Sequence, residues 1–393
     1  MAISKKIRAA IEGSSWIRRM FEEGAELKAR LGADQVCDFT LGNPDLEPPP
    51  AFKIALWEAV QDPQPGLHRY MPNAGLLASR QQVARYLEEL HGLPFTADNL
   101  IMTCGAAGGL NVILKALLDT GDEVIILAPF FPEYLYYIDN HAGICRVVET
   151  DDHFRIDLQA LEAALSPRTR AVLINSPNNP TGQIYDQASL QAVGQLLADH
   201  SQRYGHPIYL INDEPYRRLV YDGLLLPSVF AAYPHTLVAT SFSKDLCLPG
   251  ERIGYVAVSP QAQDRQELVT AMILANRILG FVNAPALMQR VVAQLTHQGV
   301  DLKIYAERRE LFCQILNQAG YDLVKPQGAF YLFPRSPIPD DGAFIQELKQ
   351  ENILAVPGRG FGRSGYFRLA FCVPQSVIER AAPGFARARA RVA

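Results

Sequence analysis

Seven short runs of apolar, mostly β-branched residues occur between positions 99 and 258, and segments with helical periodicity separate them. The runs are almost continuously apolar, which is typical of strands whose two faces are both covered. Strands that alternate with helices predict a mostly parallel sheet with right-handed crossovers. The predicted strands span residues 100–102, 123–127, 144–148, 171–174, 208–211, 237–239 and 253–257.

The two ends of the chain are predicted to be mainly helical. Residues 1–36 place apolar and charged side chains at near-helical spacing, and Gly32 is a natural stop for that helix. A short strand is predicted over 36–41, and the prolines at 48–50 mark a candidate domain boundary. Further helices are predicted from about residue 51 and over 76–91, 261–279, 286–297 and 301–319.

Composition and charge limit the classes of function. The 393 residues carry a formal net charge of −4, which gives no electrostatic basis for binding nucleic acid or an anionic membrane. No apolar run reaches the roughly 18 residues of a membrane span, and the N-terminus lacks the apolar core of a signal peptide. The six cysteines contain no C-x-x-C pair, so we expect reduced thiols in a cytoplasmic protein, without a disulfide framework or a metal site.

Small, polar or aromatic residues follow five of the predicted strands directly. The carboxyl ends of parallel strands form one edge of a sheet, and ligands collect there. We therefore expect these residues to share a site, although each alone is also explained as a turn, a helix cap or part of the core. They are the glycine-rich stretch 105–109, Phe131, the loop 175–182, Asp213 and Lys244.

Lys244 is the most informative of these residues. Burial after a strand would disfavour its charge, and a lowered pKa leaves a nucleophilic amine. The hydroxyls of Ser241 and Ser243 and the guanidinium of Arg252 suit a phosphate, so the stretch indicates pyridoxal phosphate held as a Schiff base. A surface lysine in a strand-to-helix loop is the alternative. Arg368, inside an apolar strand, requires an anionic partner if it is buried, and is otherwise an exposed edge-strand charge.

Two motifs give the chain a family resemblance. They are residues 175–182, NSPNNPTG, and residues 241–244, SFSK, followed by Arg252-Ile253-Gly254. With both in this order, the chain resembles class I/II aminotransferases, fold-type I pyridoxal phosphate enzymes related to aspartate aminotransferase, from about Gly42 to Arg368. The resemblance implies an α/β fold whose mostly parallel sheet is covered by helices, with a smaller α+β domain. The expected large domain is 47–280, and the small one combines 1–46 with 281–393.

The resemblance also implies roles for individual residues. Lys244 would form the Schiff base and carry a proton from the substrate α-carbon, while Asp213 would pair with the pyridine nitrogen. Arg368 would bind the substrate α-carboxylate, together with Gly42 and Asn179. The implied catalytic residues are Lys244, Asp213 and Tyr216. The implied cofactor-binding residues are these three with Gly105, Ala106, Ala107, Ser241, Ser243 and Arg252 around the phosphate, Phe131 stacked on the ring, Asn179 at the ring hydroxyl, and Tyr70 from a neighbouring subunit.

The implied reaction moves the α-amino group of an amino acid to a 2-oxo acid, with 2-oxoglutarate as the expected acceptor, through pyridoxamine phosphate. A lyase or decarboxylase of an amino acid is the alternative, because the same lysine, aspartate and arginine serve those reactions. A non-enzymatic cofactor-binding sensor is a third hypothesis, and the sequence offers no basic patch for it. The family resemblance further implies a homodimer with a shared active site.

Departures from the family pattern leave the amino donor open. In one aspartate-using branch, a lysine at the position of Ala107 contacts the distal carboxylate of the substrate, and that lysine is absent here. Glu251 stands where many relatives carry an aromatic or aliphatic residue. Candidate distal charges are Arg18, Arg19 and Arg359, each with a solvated role as the alternative, and Trp16 is a candidate cover for the pocket.

Overall fold

The computed structural model describes residues 2–13 and 15–392, and the side chains of residues 12–22 are outside that description. The hypotheses on Trp16, Arg18 and Arg19 fall on those side chains, so they lie outside the described residues. The strands of the described chain are β1 (Cys37–Asp38), β2 (Leu100–Thr103), β3 (Glu123–Ala128), β4 (Ile144–Glu149), β5 (Thr169–Asn175), β6 (Tyr209–Asp213), β7 (Thr236–Ser241), β8 (Gly254–Val258), β9 (Tyr331–Leu332), β10 (Ile353–Leu354), β11 (Val356–Pro357) and β12 (Phe367–Ala370).

A seven-stranded sheet forms the centre of the fold, in the order β2-β8-β7-β6-β5-β3-β4. Strand β8 runs antiparallel to both of its neighbours, and the other neighbouring strands run parallel. All seven predicted strands are in this sheet, so the predicted α/β class is confirmed. Because β2, β3, β5, β6 and β7 point the same way, the five stretches predicted to share a site follow the same edge of the sheet.

Side chains of the central strands alternate between two hydrophobic cores. In β3, Ile125 packs in one core, and Val124 and Ile126 pack in the other. In β5, Val172 packs in the first of these cores and Ala171 packs in the second. This period of two explains the continuously apolar strand sequences, because both faces of the sheet are buried. Each fully buried aliphatic side chain contributes about 1.5–3 kcal/mol to the free energy of unfolding.

Helices supply the other side of each core. The helices of the described chain are α1 (Lys5–Gly13), α2 (Ser15–Leu31), α3 (Pro50–Gln61), α4 (Leu77–His91), α5 (Gly105–Leu117), α6 (Glu133–Asn140), α7 (Leu158–Ala164), α8 (Gln187–Tyr204), α9 (Val229–Ala232), α10 (Arg265–Ile278), α11 (Ala286–Ala293), α12 (Leu302–Gln318), α13 (Asp341–Gln350) and α14 (Gln375–Arg391). The first core contains residues from α3, α4, α8 and α11, and the second contains residues from α5, α6 and α10. Within the ranges that the structure describes, no helix is both long and apolar enough to cross a membrane.

The predicted strand over 36–41 is shorter than expected, because only β1 pairs, in parallel with β10. The next residues leave the strand, and Thr40, Leu41 and Gly42 line the main cavity. The carbonyl groups of Thr40 and Gly42 accept hydrogen bonds from side chains there, so these backbone groups are satisfied without a sheet partner.

A third core, rich in aromatic side chains, lies between the C-terminal helices and two small sheets. Phe39 packs in it, with its ring 4.9 Å from the ring of Phe312. The segment after α2 is thereby tied to the C-terminal third of the chain. Met288 and Val291 of α11 pack instead with the central sheet. The domain limits of 47–280 and of 1–46 with 281–393 stay a prediction.

Candidate active site

A cavity of about 400 Å³ opens at the carboxyl edge of the central sheet, between that edge and the segments around residues 40–42, 331, 361 and 368. Most of the site residues predicted from the sequence meet there, although they come from eight separate stretches of the chain. Those that line the cavity are Gly42, Ala106, Ala107, Phe131, Asn179, Asp213, Tyr216, Ser241, Ser243, Lys244, Arg252 and Arg368.

Lys244 extends its amine into this cavity from the loop after β7. Its Nζ atom donates a hydrogen bond to the carbonyl oxygen of Gly42 at 2.8 Å. Burial lowers the pKa of the Lys244 ammonium, and the positive charges of Arg368 and Arg252 act in the same direction. The amine is therefore closer to its neutral, nucleophilic form than an exposed lysine is.

Tyr331 leaves no room for a side chain at position 42. A Cβ atom at position 42 would lie 1.8 Å from the hydroxyl oxygen of Tyr331, far inside van der Waals contact. The absence of a side chain lets the Gly42 backbone approach both Tyr331 and the amine of Lys244.

Asp213 ends β6, and its two carboxylate oxygens differ in their hydrogen bonding. Its Oδ2 atom accepts a hydrogen bond from the Tyr134 hydroxyl at 2.6 Å, while Oδ1 is buried and has no hydrogen-bond partner among the described residues. Burial raises the pKa of Asp213 to about 7, and the Tyr134 hydrogen bond acts against that rise. A buried carboxylate oxygen without a donor is costly, and the protonated nitrogen of a pyridine ring would supply the donor.

Tyr216 and Tyr331 form a buried pair with 2.9 Å between their hydroxyl oxygens. Burial raises the pKa of Tyr216 well above its ordinary value and that of Tyr331 to about 12. Both phenols therefore keep their protons near neutral pH. Tyr216 is consequently available as a hydrogen-bond donor to a ligand in the cavity.

Arg368 is buried, with 8% of its surface exposed, so the alternative of an exposed edge-strand charge is wrong. Its Nη1 donates to Asn179 Oδ1 at 3.0 Å, and its Nη2 donates to the Thr40 carbonyl at 2.5 Å. The guanidinium carbon lies 4.8 Å from the ring centroid of Tyr331 and 4.7 Å from that of Phe361. Within the part of the chain that the structure describes, its Nε is buried and has no hydrogen-bond partner, and none of the groups named here is anionic. The arrangement is suited to a carboxylate ligand.

The other end of the cavity combines donors suited to a phosphate. Helix α5 begins at Gly105, where the first backbone N–H groups have no intrahelical partner and the helix dipole favours an anion. Ser241 and Ser243 bring hydroxyls from the end of β7. A Cβ atom on Gly105 would lie 3.0 Å from Nη2 of Arg252, so glycine leaves room for this guanidinium. Gly105 itself does not line the cavity, but it packs against Arg252, which does.

These observations fit pyridoxal phosphate. The unpartnered Oδ1 of Asp213 matches a ring nitrogen, the amine of Lys244 matches an aldehyde carbon, and the serine hydroxyls with Arg252 match a phosphate. Within the described ranges, no three His, Cys, Asp or Glu side chains cluster as metal ligands would.

Two predicted residues lie elsewhere. Tyr70 is 90% exposed and outside the cavity of this chain. Arg359 is also absent from the cavity wall, because its Nε donates to Asp341 at 2.8 Å and its guanidinium forms a second ion pair with Asp340. Arg359 therefore forms ion pairs with carboxylates at the start of α13. Its position does not support the hypothesis that it supplies a distal positive charge.

The sequence-based interpretation missed several residues that shape the cavity. Tyr134 comes three positions after Phe131 in an aromatic stretch, which is a weak local indication of a shared site. Tyr331 belongs to β9, and only its pairing with β12 brings it beside Arg368. Glu133 and Tyr137 are one helical turn apart in α6 and both line the cavity, as does Phe361.

Comparisons with known proteins agree with this geometry. Residues 34–385 match the family model for aminotransferase class I and II. The chain is 32% identical over 373 residues to the aspartate/prephenate aminotransferase of Thermus thermophilus, covering 92% of this chain and 93% of that protein. An aromatic-amino-acid aminotransferase of Thermococcus litoralis is 29% identical over 97% of this chain and 96% of its own length.

Solved structures that resemble this chain are also aminotransferases. The crystal structure of an aminotransferase from Eubacterium rectale matches with a TM-score of 0.95 and 39% identity, over 100% of this chain and 99% of that one. The aspartate aminotransferase of Thermus thermophilus with maleate matches with a TM-score of 0.85 and 27% identity, over 99% and 100% of the two chains. The predicted fold type I architecture is confirmed. The chain therefore belongs to the class I and II aminotransferases, pyridoxal phosphate-dependent enzymes that transfer amino groups.

Proposed function

We propose that the chain moves the α-amino group of an amino acid to a 2-oxo acid, with 2-oxoglutarate as the expected acceptor. One observation carries this proposal: a partly buried lysine, a buried arginine and a buried carboxylate, one oxygen of which has no partner among the described residues, converge on one cavity. Pyridoxal phosphate, when bound, supplies the electron sink for the bond broken at the substrate α-carbon.

Lys244 is the proposed base. Its amine has the lowered pKa that suits a group that accepts a proton from the α-carbon as a base and then releases it elsewhere as an acid near neutral pH. The Gly42 carbonyl, 2.8 Å from Nζ, orients the amine within the cavity. Asp213 would pair with the ring nitrogen of the bound cofactor as a carboxylate, and the Tyr134 hydroxyl donates a hydrogen bond that holds this side chain in place.

Arg368 is the proposed carboxylate-binding group. Its guanidinium is fixed before substrate arrives, since Asn179 and the Thr40 carbonyl accept hydrogen bonds from its two Nη atoms and the rings of Tyr331 and Phe361 lie close to it. This preorganisation lowers the entropy lost when the amino acid is aligned. Asn179 is itself held by Asn175, whose Oδ1 accepts from the Asn179 backbone N–H at 2.7 Å.

Tyr216, Asn179 and Phe131 complete the proposed ring site, with Gly105, Ala106, Ala107, Ser241, Ser243 and Arg252 at the phosphate. Tyr70 is proposed to reach the phosphate of a partner subunit in a homodimer. Its 90% exposure supports this role, as do the apolar side chains of Ile54, Trp57 and Leu77, which are more than half exposed. A second copy of the chain that covers these exposed side chains would complete both sites.

Spectroscopy of the cofactor-loaded protein tests the function. Amino acids are added one at a time while the visible absorbance band of the cofactor is followed. Loss of the band, with its recovery after 2-oxoglutarate is added, is the expected result. Lys244→Ala, which removes the proposed base, should fold with an unchanged circular dichroism spectrum and lose nearly all turnover. Accumulation of pyruvate and ammonia without any acceptor would instead identify a lyase.

A further inference from the structure

Two tyrosine hydroxyls from distant parts of the chain meet in the wall of the cavity. Tyr216 lies in the loop after β6, and Tyr331 belongs to β9, which pairs with β12. Both side chains line the cavity, and their hydroxyl oxygens lie 2.9 Å apart. The proposed function assigns Tyr216 to the ring site, but it assigns no role to the Tyr331 hydroxyl.

The hydrogen bond between these two hydroxyls leaves one of their protons unused. Each tyrosine has one O–H donor, and a bond between the two oxygens uses one of the two protons. No other hydrogen bond joins either hydroxyl to the residues that the structure describes. A buried donor without an acceptor is costly, so the remaining proton is suited to an acceptor that a ligand brings into the cavity.

The surroundings of Tyr331 indicate which hydroxyl donates to the other. The guanidinium carbon of Arg368 lies 4.8 Å from the ring centroid of Tyr331. A nearby cation stabilises the deprotonated form of a phenol, which makes that phenol a stronger hydrogen-bond donor. Arg368 has no acceptor atom, so it cannot take the Tyr331 proton itself. Tyr331 is therefore the donor in the pair, and the proton of Tyr216 remains for a ligand.

Ring packing fixes the positions of both hydroxyl oxygens. The ring of Tyr216 meets the rings of Phe330 and Tyr331 edge to face, with centroid distances of 5.5 and 5.8 Å. Both tyrosines are buried. Rotation about the C–O bond is the freedom left to each hydroxyl proton, and the hydrogen bond from Tyr331 restricts that rotation in Tyr216.

We propose that Tyr331 is a positioning residue, which donates a hydrogen bond to Tyr216 and thereby directs the Tyr216 proton toward the ring oxygen of the bound cofactor. This inference rests on the proposed function, in which Tyr216 belongs to the ring site. A donor to the ring oxygen stabilises the negative charge of that oxygen. Without the donor, the oxygen relies on a proton held by the nitrogen that joins Lys244 to the cofactor. Tyr331 therefore lowers the pH at which this nitrogen loses its proton.

The test is a double-mutant cycle on the cofactor-loaded protein, with Tyr331→Phe, Tyr216→Phe and the double variant. Phenylalanine keeps each ring and removes only the hydroxyl. The measured quantity is the midpoint pH of the change in visible absorbance, recorded without any amino acid. Tyr321→Phe is the matched control, because Tyr321 is buried in the same aromatic core, is absent from the cavity wall and donates to the Phe385 carbonyl at 3.0 Å. The charged side chains of the cavity wall are the same in all variants: Glu133, Asp213, Lys244, Arg252 and Arg368.

Tyr331→Phe should raise the midpoint by about 0.5–1 pH unit, and Tyr216→Phe should raise it by at least as much. In the Tyr216→Phe background, Tyr331→Phe should add no further shift, because the hydroxyl through which Tyr331 acts is gone. Tyr321→Phe should keep the wild-type midpoint. An unchanged midpoint in Tyr331→Phe, or equal shifts by Tyr331→Phe in both backgrounds, would overturn this proposal. The cycle needs no amino donor, so failure of every amino acid to change the absorbance would overturn the proposed function alone.

Discussion

Replacing Asp213 by asparagine should change how the stability of the cofactor-free protein depends on pH. The folded chain holds the Asp213 proton up to about pH 7, whereas the ordinary pKa is 3.8. Between these values the folded state binds more protons than the unfolded state, so the free energy of unfolding falls as pH rises. The destabilisation is absent below both pKa values and complete above about pH 7. At 1.36 kcal/mol per pKa unit, it amounts to about 4 kcal/mol.

Asparagine cannot ionise, and its Oδ1 can still accept the hydrogen bond from Tyr134. Asp213→Asn should therefore lack this loss of stability, while all other titrating groups stay the same. Between pH 5 and pH 8, cofactor-free wild type should lose about 2–3 kcal/mol more than the variant. Urea unfolding followed by circular dichroism at several pH values measures this difference.

The cofactor supplies a second readout. A protonated ring nitrogen would let Asp213 stay charged when buried, so added pyridoxal phosphate should stabilise wild type more than Asp213→Asn at pH 8. Asp139→Asn controls for the loss of one negative charge at an exposed site. Parallel pH profiles of unfolding free energy for wild type and Asp213→Asn would refute the reasoning, because the unpartnered Oδ1 would then carry no penalty.

The other predictions concern the substrate anchor, the glycine contact and assembly. Arg368→Lys should raise KM for the amino donor and lower kcat/KM about tenfold or more, because a point charge cannot reproduce a bidentate pair; steady-state kinetics with an unchanged KM would exclude the role. Gly42→Ala should lower the free energy of unfolding by about 1–3 kcal/mol, since the new Cβ would lie 1.8 Å from the Tyr331 hydroxyl, and an unaltered urea midpoint would contradict that contact. Size-exclusion chromatography with light scattering should show a dimer at micromolar concentration, and a monomer alone would remove the proposed role of Tyr70.

The pattern of apolar residues along the sequence was sufficient to predict the strands of the central sheet. The seven strands of the central sheet could be predicted from short apolar runs. A strand that is buried on both faces needs apolar side chains at consecutive positions, and this pattern is visible in the sequence. The positions of Gly105, Phe131, Asp213 and Lys244 in the sequence indicate a shared site, because each lies at the carboxyl end of a predicted strand. Asp213 ends one strand and the other three residues follow strands that run in the same direction, and such strands bring their carboxyl ends to one edge of the sheet.

The sequence by itself determined the class of chemistry: a lysine, an aspartate and an arginine in motifs that predict pyridoxal phosphate and amino-group transfer. Only the tertiary structure decided how those groups are perturbed. Tyr134 meets Asp213 and Tyr331 meets Gly42 through contacts that no local spacing encodes. Burial, hydrogen-bond satisfaction and the resulting pKa shifts depend on what surrounds a side chain from distant parts of the chain, and that arrangement exists only once the chain has folded.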